Sequence, residues 1–151
     1  VGGDSVTSNG QWAFVLDSEQ CRLFVFEKEQ VSNAWQFSQL IIENRFQCSI
    51  GSRFGASSSV SADVLVVGAP GAQNDKGVWF LYQFDGTEWV RLGNNPLQAD
   101  DQQSGSLAGS SVSISRFQSG AVSGYQIAIG APNFDVGGLV DAADRQQLRR
   151  A

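Results

Sequence analysis

"RFGASSSVSADVLVVGAP", residues 53–70, runs from Phe-Gly through a serine-rich stretch to four consecutive apolar residues and then Gly-Ala-Pro. "LAGSSVSISRFQSGAVSGYQIAIGAP", residues 107–132, follows the same order with a longer middle. Recurrence of this kind indicates a repeated structural unit, and periods near 50 residues are typical of propeller blades. The sequence therefore predicts that the chain builds one unit more than once.

The spacing of Ser-Val pairs defines the units. These pairs begin at residues 5, 59 and 111, and Trp35 and Trp89 recur at the first of the two intervals. We divide the chain into units of about 3–53, 54–106 and 107–138, which together form a repeat region over 1–138. Residues 139–151 are an off-pattern tail, in which only Leu139 and Val140 suit a strand and the remainder favours a helix.

The second unit predicts four short strands, which is the strand count of a propeller blade. The strands are expected at 57–61, 64–67, 78–84 and 88–92, with turns at Ala62-Asp63 and Asp85-Gly86. The apolar runs "VLVV" and "VWFLY" do not alternate with polar residues, so both faces of those strands should be covered. The fourth strand is expected at the wetter outer edge.

The recurrence of the motif that runs from Phe-Gly to Gly-Ala-Pro has a packing explanation. Phe54 can fill the space between neighbouring sheets, while Gly55 lets backbone pass close to it. Gly68 and Ala69 keep the end of the second strand thin, and Pro70 ends that strand because it cannot donate to a ladder.

"FGASSSVSADVLVVGAP" resembles the FG-GAP repeat, the blade unit of the integrin α-subunit N-terminal propeller. Unit three keeps Gly130-Ala131-Pro132 but has Ala108-Gly109 in place of Phe-Gly, and unit one keeps neither motif. The resemblance implies a non-enzymatic binding or adhesion module that recognises a protein ligand through loops. In some relatives the propeller is instead appended to an enzyme, and a carbohydrate-binding propeller is the other alternative.

The expected fold class is all-β, with a partial β-propeller of FG-GAP blades of about four antiparallel strands. Propellers close with about four to eight blades, so two to three units predict an open arc. The chain begins at Val1 without Met or a signal-peptide pattern. We therefore expect further blades to come from a longer protein or from other chains.

Composition excludes several functions. The chain has no histidine and carries no nucleophile elbow, dinucleotide or Walker motif, so we expect no enzyme, no catalytic residue and no cofactor. A net charge of −5 without a basic patch argues against nucleic acid as a partner. No run is long enough for a membrane span. Asp100-Asp101 is interpreted as a solvated loop rather than a catalytic pair.

The aromatic and sulfur-containing residues leave alternatives open. Tryptophans at 12, 35, 79 and 89 could mark a sugar-binding surface, but we interpret them as packing residues.

Cys21 and Cys48 could pair in an oxidising compartment or remain two small buried thiols. They should lie in one unit, near the start of its third strand and the end of its fourth-strand region. The expected location is extracellular, at the cell surface or in another oxidising compartment, and the expected partners are a protein ligand or further blades, with a glycan as a possibility.

No calcium site is expected. The family's calcium loop lies between the first two strands of a blade and needs several carboxylates. Unit two has only Asp63 there, unit one has "SNGQ", and unit three has the expected loop 115–124, which contains Arg116 and no acidic residue.

Overall fold

The computed structural model describes residues 5–44, 48–94 and 96–135, which form three antiparallel sheets. Sheet 1 has the order β1 (Ser5–Ser8), β2 (Trp12–Asp17), β3 (Arg22–Lys28) and β4 (Trp35–Ile42). Sheet 2 has the order β5 (Ser57–Ser61), β6 (Val64–Ala69), β7 (Val78–Phe84) and β8 (Trp89–Arg91). Sheet 3 pairs β9 (Ser111–Ser119) with β10 (Val122–Gly130). A 3-10 turn (Ile50–Ser52) and a short helix, α1 (Ala72–Asp75), lie between strands.

The all-β prediction is confirmed, and the strands of unit two match the expectation closely. The Ala62-Asp63 turn joins β5 to β6 directly, because Ser61 pairs with Val64. Strand β8 is at the edge of its sheet, as expected. Each sheet lies within one of the units drawn from the repeat, and no sheet closes on itself within the part of the chain that the structure describes. The off-pattern tail at 139–151 lies outside the described residues.

The loop expected at 115–124 is wrong. Strands β9 and β10 pair continuously from Ser111 opposite Gly130 to Ser119 opposite Val122, so only Gly120-Ala121 forms the turn. Gly120 has a φ of +60°, which a tight hairpin turn requires. The loop was expected at the place of the family's calcium loop, but Ile114, Ile127 and their neighbours on alternate positions pack against sheet 2 and hold the segment extended.

Two apolar layers hold the sheets together. The larger layer lies between sheets 1 and 2, and its buried members include Phe14, Leu16, Leu23, Val25, Leu65, Val67, Phe80 and Tyr82. The smaller layer joins Val64 and Val66 of sheet 2 to Ile114 of sheet 3. All six residues of β6 are buried, as the non-alternating run predicted, because β6 faces a sheet on each side.

The residues of the repeated motif at 53–70 pack as the sequence indicated. Phe54 is fully buried and meets Phe80 edge-on at a ring-centroid distance of 5.2 Å. A Cβ on Gly55 would come within 2.7 Å of the Leu16 Cβ, and a Cβ on Gly68 would overlap the carbonyl oxygen of Gly109. Both glycines therefore lie where the packing leaves no room for a side chain.

Three tryptophans pack as expected, and Trp35 does not. Trp12 and Trp89 are buried, and Trp79 packs against the smaller apolar layer. Trp35 remains 44% exposed, with the Lys28 Nζ 5.9 Å from its ring centroid. The cause is positional: Trp89 lies on the face of sheet 2 that sheet 1 covers, whereas the described residues place no sheet over the face that carries Trp35.

Cys21 and Cys48 form a disulfide. Cys21 directly precedes β3, and Cys48 follows β4 in the same unit, so their expected place is confirmed, and of the two alternatives left open the structure has the disulfide. The bond is compatible with an oxidising or extracellular compartment. None of the helical residues described forms a segment of sufficient length and apolarity to cross a bilayer.

Candidate functional site

The turn ends of the three sheets meet around a cleft, here called the turn cleft. Its cavity volume is about 650 Å³. The first two sheets contribute the β1–β2 turn, the β5–β6 turn and the end of β7, and sheet 3 contributes both of its strands. The lining residues are Asn9, Gln11, Trp12, Ala62, Asp63, Phe84, Arg116, Ser123, Gly124 and Tyr125.

Asn9 ties the first turn to the second. Its side-chain oxygen accepts hydrogen bonds from the backbone N–H groups of Gln11 (3.1 Å) and Trp12 (2.9 Å), which closes the β1–β2 turn locally. Its amide nitrogen donates to the carbonyl oxygen of Ala62 at 2.9 Å. One side chain therefore fixes both the shape of its own turn and its distance from sheet 2.

Asp63 ties the second sheet to the third. Its carboxylate accepts hydrogen bonds from the Tyr125 hydroxyl and from the Gln83 amide, the latter at 3.2 Å. The Tyr125 hydrogen bond, with help from Gln83 and the positive charge of Arg116, lowers the pKa of Asp63. Burial and the neighbouring Asp63 carboxylate raise the pKa of Tyr125. At neutral pH the pair is thus a carboxylate accepting from a neutral phenol.

The floor of the turn cleft is aromatic. Trp12 lies 4.8 Å from Phe84 and 5.7 Å from Trp89, measured between ring centroids, and the Trp12–Trp89 contact is edge-to-face. Trp12 is nearly fully buried, so it forms the base of the cleft and exposes little surface to a ligand. Arg116, Gln11 and Ser123 are exposed at the rim. The arrangement is a rigid apolar floor under a polar rim that carries both signs of charge.

Asp63, the one carboxylate at the expected calcium-loop position of unit two, is hydrogen-bonded to other side chains. Asp63 is held by Tyr125 and Gln83, and among the described residues no three His, Cys, Asp or Glu side chains group as metal ligands. The absence of a calcium site stays a prediction. Asp100 and Asp101 are exposed in a turn and do not line the cleft.

A second polar cluster is buried between sheets 1 and 2. Glu43, just after β4, is 5% exposed; its carboxylate accepts from the Tyr82 hydroxyl at 2.5 Å and pairs with an Arg91 nitrogen at 2.6 Å. Burial, and then the Glu43 charge, raise the pKa of Tyr82 well above its usual range. Because Glu43 is almost fully buried, the cluster offers a ligand no open surface. We interpret it as a structural link between the two sheets.

The sequence predicted no site residue, and the turn cleft was missed. The cleft depends on which turns lie close together in the folded chain. Because residues 115–124 were expected to form a loop, the pairing of Arg116 with Tyr125 across β9 and β10 was not predicted. A usable signal was present: Asn9 and Asp63 occupy the same turn, between the first and second strands, in successive units.

No protein-family model matches the chain, and no curated protein is similar to it at a significant level. The FG-GAP resemblance therefore depends on the quoted motifs alone.

Proposed function

We propose that the chain is a non-enzymatic recognition module, an open arc of FG-GAP-like propeller blades that binds a protein ligand at the turn cleft. The observation that carries the proposal is the composite lining of the cleft, since the first two repeats each contribute a turn and the third contributes both of its strands to one concave surface. Binding residues are commonly placed on loops held by a rigid scaffold, and here the scaffold is the stacked sheets.

The chemistry of the cleft favours a polypeptide ligand. The rim offers the Arg116 guanidinium and the Gln11 amide, which can pair with side-chain carboxylates and backbone carbonyls of a peptide. Asp63 and Tyr125 are already bonded to each other, so they shape the cleft and leave Arg116 as its principal point of charge recognition. The Cys21–Cys48 bond supports an extracellular or cell-surface setting for such a module.

Peptide selection tests the proposal. A random peptide library displayed on phage is panned against the immobilised wild-type chain, and the enriched peptides are then titrated against wild type and the variant Arg116→Glu. Enriched peptides should carry acidic residues and should bind Arg116→Glu at least about 10-fold more weakly, since a charge-assisted contact is replaced by repulsion. The matched control is Arg53→Glu, the same charge change at an exposed residue outside the cleft.

Two results would overturn the proposal. One is a set of peptides that binds wild type and Arg116→Glu equally well. The other is saturable binding on a glycan array, lost in Arg116→Glu, without any peptide enrichment; that result would favour the carbohydrate-binding alternative.

A further inference from the structure

The face of sheet 1 that points away from sheet 2, here called the outer face, carries a continuous apolar stripe. Its exposed fractions are Val6 69%, Trp35 44%, Phe37 60%, Leu40 42% and Ile42 64%. Phe26 lies beside Phe37, with ring centroids 5.9 Å apart. Single exposed apolar residues are ordinary, but a contiguous patch of this kind marks an interaction surface.

Sheet 2 shows what such a face requires. The Val6–Val15 pair of sheet 1 corresponds to the Val60–Leu65 pair of sheet 2 in the repeat alignment. The cross-strand pairs that follow in the two sheets also have similar side chains. Val15–Phe24 of sheet 1 corresponds to Leu65–Tyr82 of sheet 2, and Phe26–Phe37 corresponds to Phe84–Trp89. In sheet 2 this face is covered by another apolar sheet, and Trp89 is only 2% exposed.

Among the described residues, the remaining free sheet face of the chain does not fit the outer face. That face belongs to sheet 3 and exposes mainly small or polar side chains, apart from Phe117, which lies across Gly124, and Val122, which is 63% exposed beside the hairpin turn. Its other members are Ser113, Ser115, Gln126 and Ala128. A head-to-tail stack of sheet 3 on sheet 1 would therefore leave most of the stripe without an apolar partner.

We infer that the outer face of sheet 1 is a dimer interface, occupied by the same face of a second copy of this chain. The face is divided along its strands: Trp35 and Phe37 lie at one end, and Leu40 and Ile42 lie at the other. A two-fold axis in the interface plane, perpendicular to the strands, sets the aromatic end of each copy on the aliphatic end of its partner. Two-fold dimers with self-complementary patches are the commonest oligomers, and sheets stack face to face at about 10 Å.

The area is sufficient for such a dimer. An aromatic side chain can bury about 150–250 Å², so the exposed parts of the five residues provide roughly 500 Å² per copy. Two copies then bury roughly 1,000 Å² before their polar rims are counted, which is the threshold expected of a specific interface. The turn cleft does not share residues with the outer face, so the dimer is independent of the proposed function.

The test is the mass of the full chain in solution, measured by sedimentation equilibrium over a wide concentration range with the disulfide intact. Wild type should reach two copies and no more. Phe37→Glu and Ile42→Lys should each raise the dimer dissociation constant at least about 30-fold, because each places a charge in the apolar contact. Val31→Glu is the matched control, because Val31 is 93% exposed in the β3–β4 turn and lies off the stripe; it should leave the dimer unchanged.

Circular dichroism and a thermal melt confirm that each variant is folded. A wild-type chain that stays monomeric at high concentration overturns the inference and leaves the outer face to a sheet from another polypeptide. Assembly beyond two copies, or a dimer that survives both substitutions in folded variants, also overturns it. Arg116→Glu should remain dimeric, so loss of peptide binding and loss of the dimer are separable.

Discussion

At the scale of single residues, Gly68 marks a close approach between sheet 2 and the segment that leads into sheet 3. Its position leaves no room for a side chain, because an added Cβ would overlap the Gly109 carbonyl and lie 2.5 Å from the Ser57 hydroxyl. Gly68→Ala should lower the free energy of unfolding by about 1–3 kcal/mol, as overpacking does in a filled core. Urea denaturation measures the change.

Gly51→Ala is the matched control for that substitution. Gly51 has no heavy atom near its added Cβ and no positive φ, so the effect should stay within about 0.5 kcal/mol. Equal losses at Gly51 and Gly68 would contradict the packing account of the Gly-Ala-Pro motif.

A pH effect is expected at Asp63. The Tyr125 hydrogen bond lowers its folded-state pKa below the ordinary 3.8, so the folded state holds its proton less tightly than the unfolded state. The stabilisation is therefore present above about pH 4 and is lost as the pH falls through the folded pKa. Wild type should lose more stability between about pH 6 and pH 3 than Asp63→Asn does.

The measurement is the urea midpoint of both proteins at the two pH values, and Asp100→Asn provides the same chemical change at an exposed turn residue. Because Asp63 is only partly buried, the difference is small and requires matched ionic strength. An identical acid response in wild type and Asp63→Asn would show that the carboxylate does not join sheets 2 and 3.

At the scale of elements, the end of β4 is fixed to sheet 2 by a buried carboxylate. Glu43→Gln keeps an acceptor for the Tyr82 hydroxyl but leaves the Arg91 charge, whose side chain is 17% exposed, without its carboxylate partner. We expect a loss of about 2–3 kcal/mol, below the cost of breaking a fully buried ion pair. Tyr82→Phe should cost about 1 kcal/mol.

A double-mutant cycle measures the coupling between these two positions. Because both hydrogen-bond partners share one carboxylate, the combined loss should be smaller than the sum of the single losses. Strict additivity would contradict a shared network, and the stability of each variant is obtained from the same urea titration.

The sequence was sufficient for the strands of unit two and insufficient for the hairpin of sheet 3 and for the site, for a physical reason. Runs such as 64–69 reveal burial on both faces through local pattern alone, and Ala62-Asp63 and Asp85-Gly86 reveal turns by their residue types. The extended hairpin at 111–130 was hidden because serine and glycine are weak strand formers that tertiary packing overrides. The turn cleft depends on contacts such as Asp63 with Tyr125, which are distant in sequence and have no local signature.

At the scale of the whole molecule, the outer face of sheet 1, where we propose a dimer, and the turn cleft, where we propose ligand binding, share no residues. Burial in three sheets supplies the main stabilisation, but sheet 1 has apolar cover on only one face among the described residues. A covalent bond across that sheet is therefore expected to contribute a large share of its stability as an isolated chain.

The last prediction concerns that bond. Cys21 and Cys48 are separated by 27 positions, and closing a loop of this length removes unfolded-state entropy corresponding to about 3 kcal/mol in the chain-entropy model. A domain has only about 5–15 kcal/mol in total, so reduction should lower the urea midpoint strongly without changing the native fold. The double variant Cys21→Ala/Cys48→Ala should match the reduced wild type and should not respond to reductant. Two reactive thiols in the freshly isolated, unreduced protein, or a reductant effect that persists in the double variant, would contradict the prediction and with it the support for an oxidising compartment.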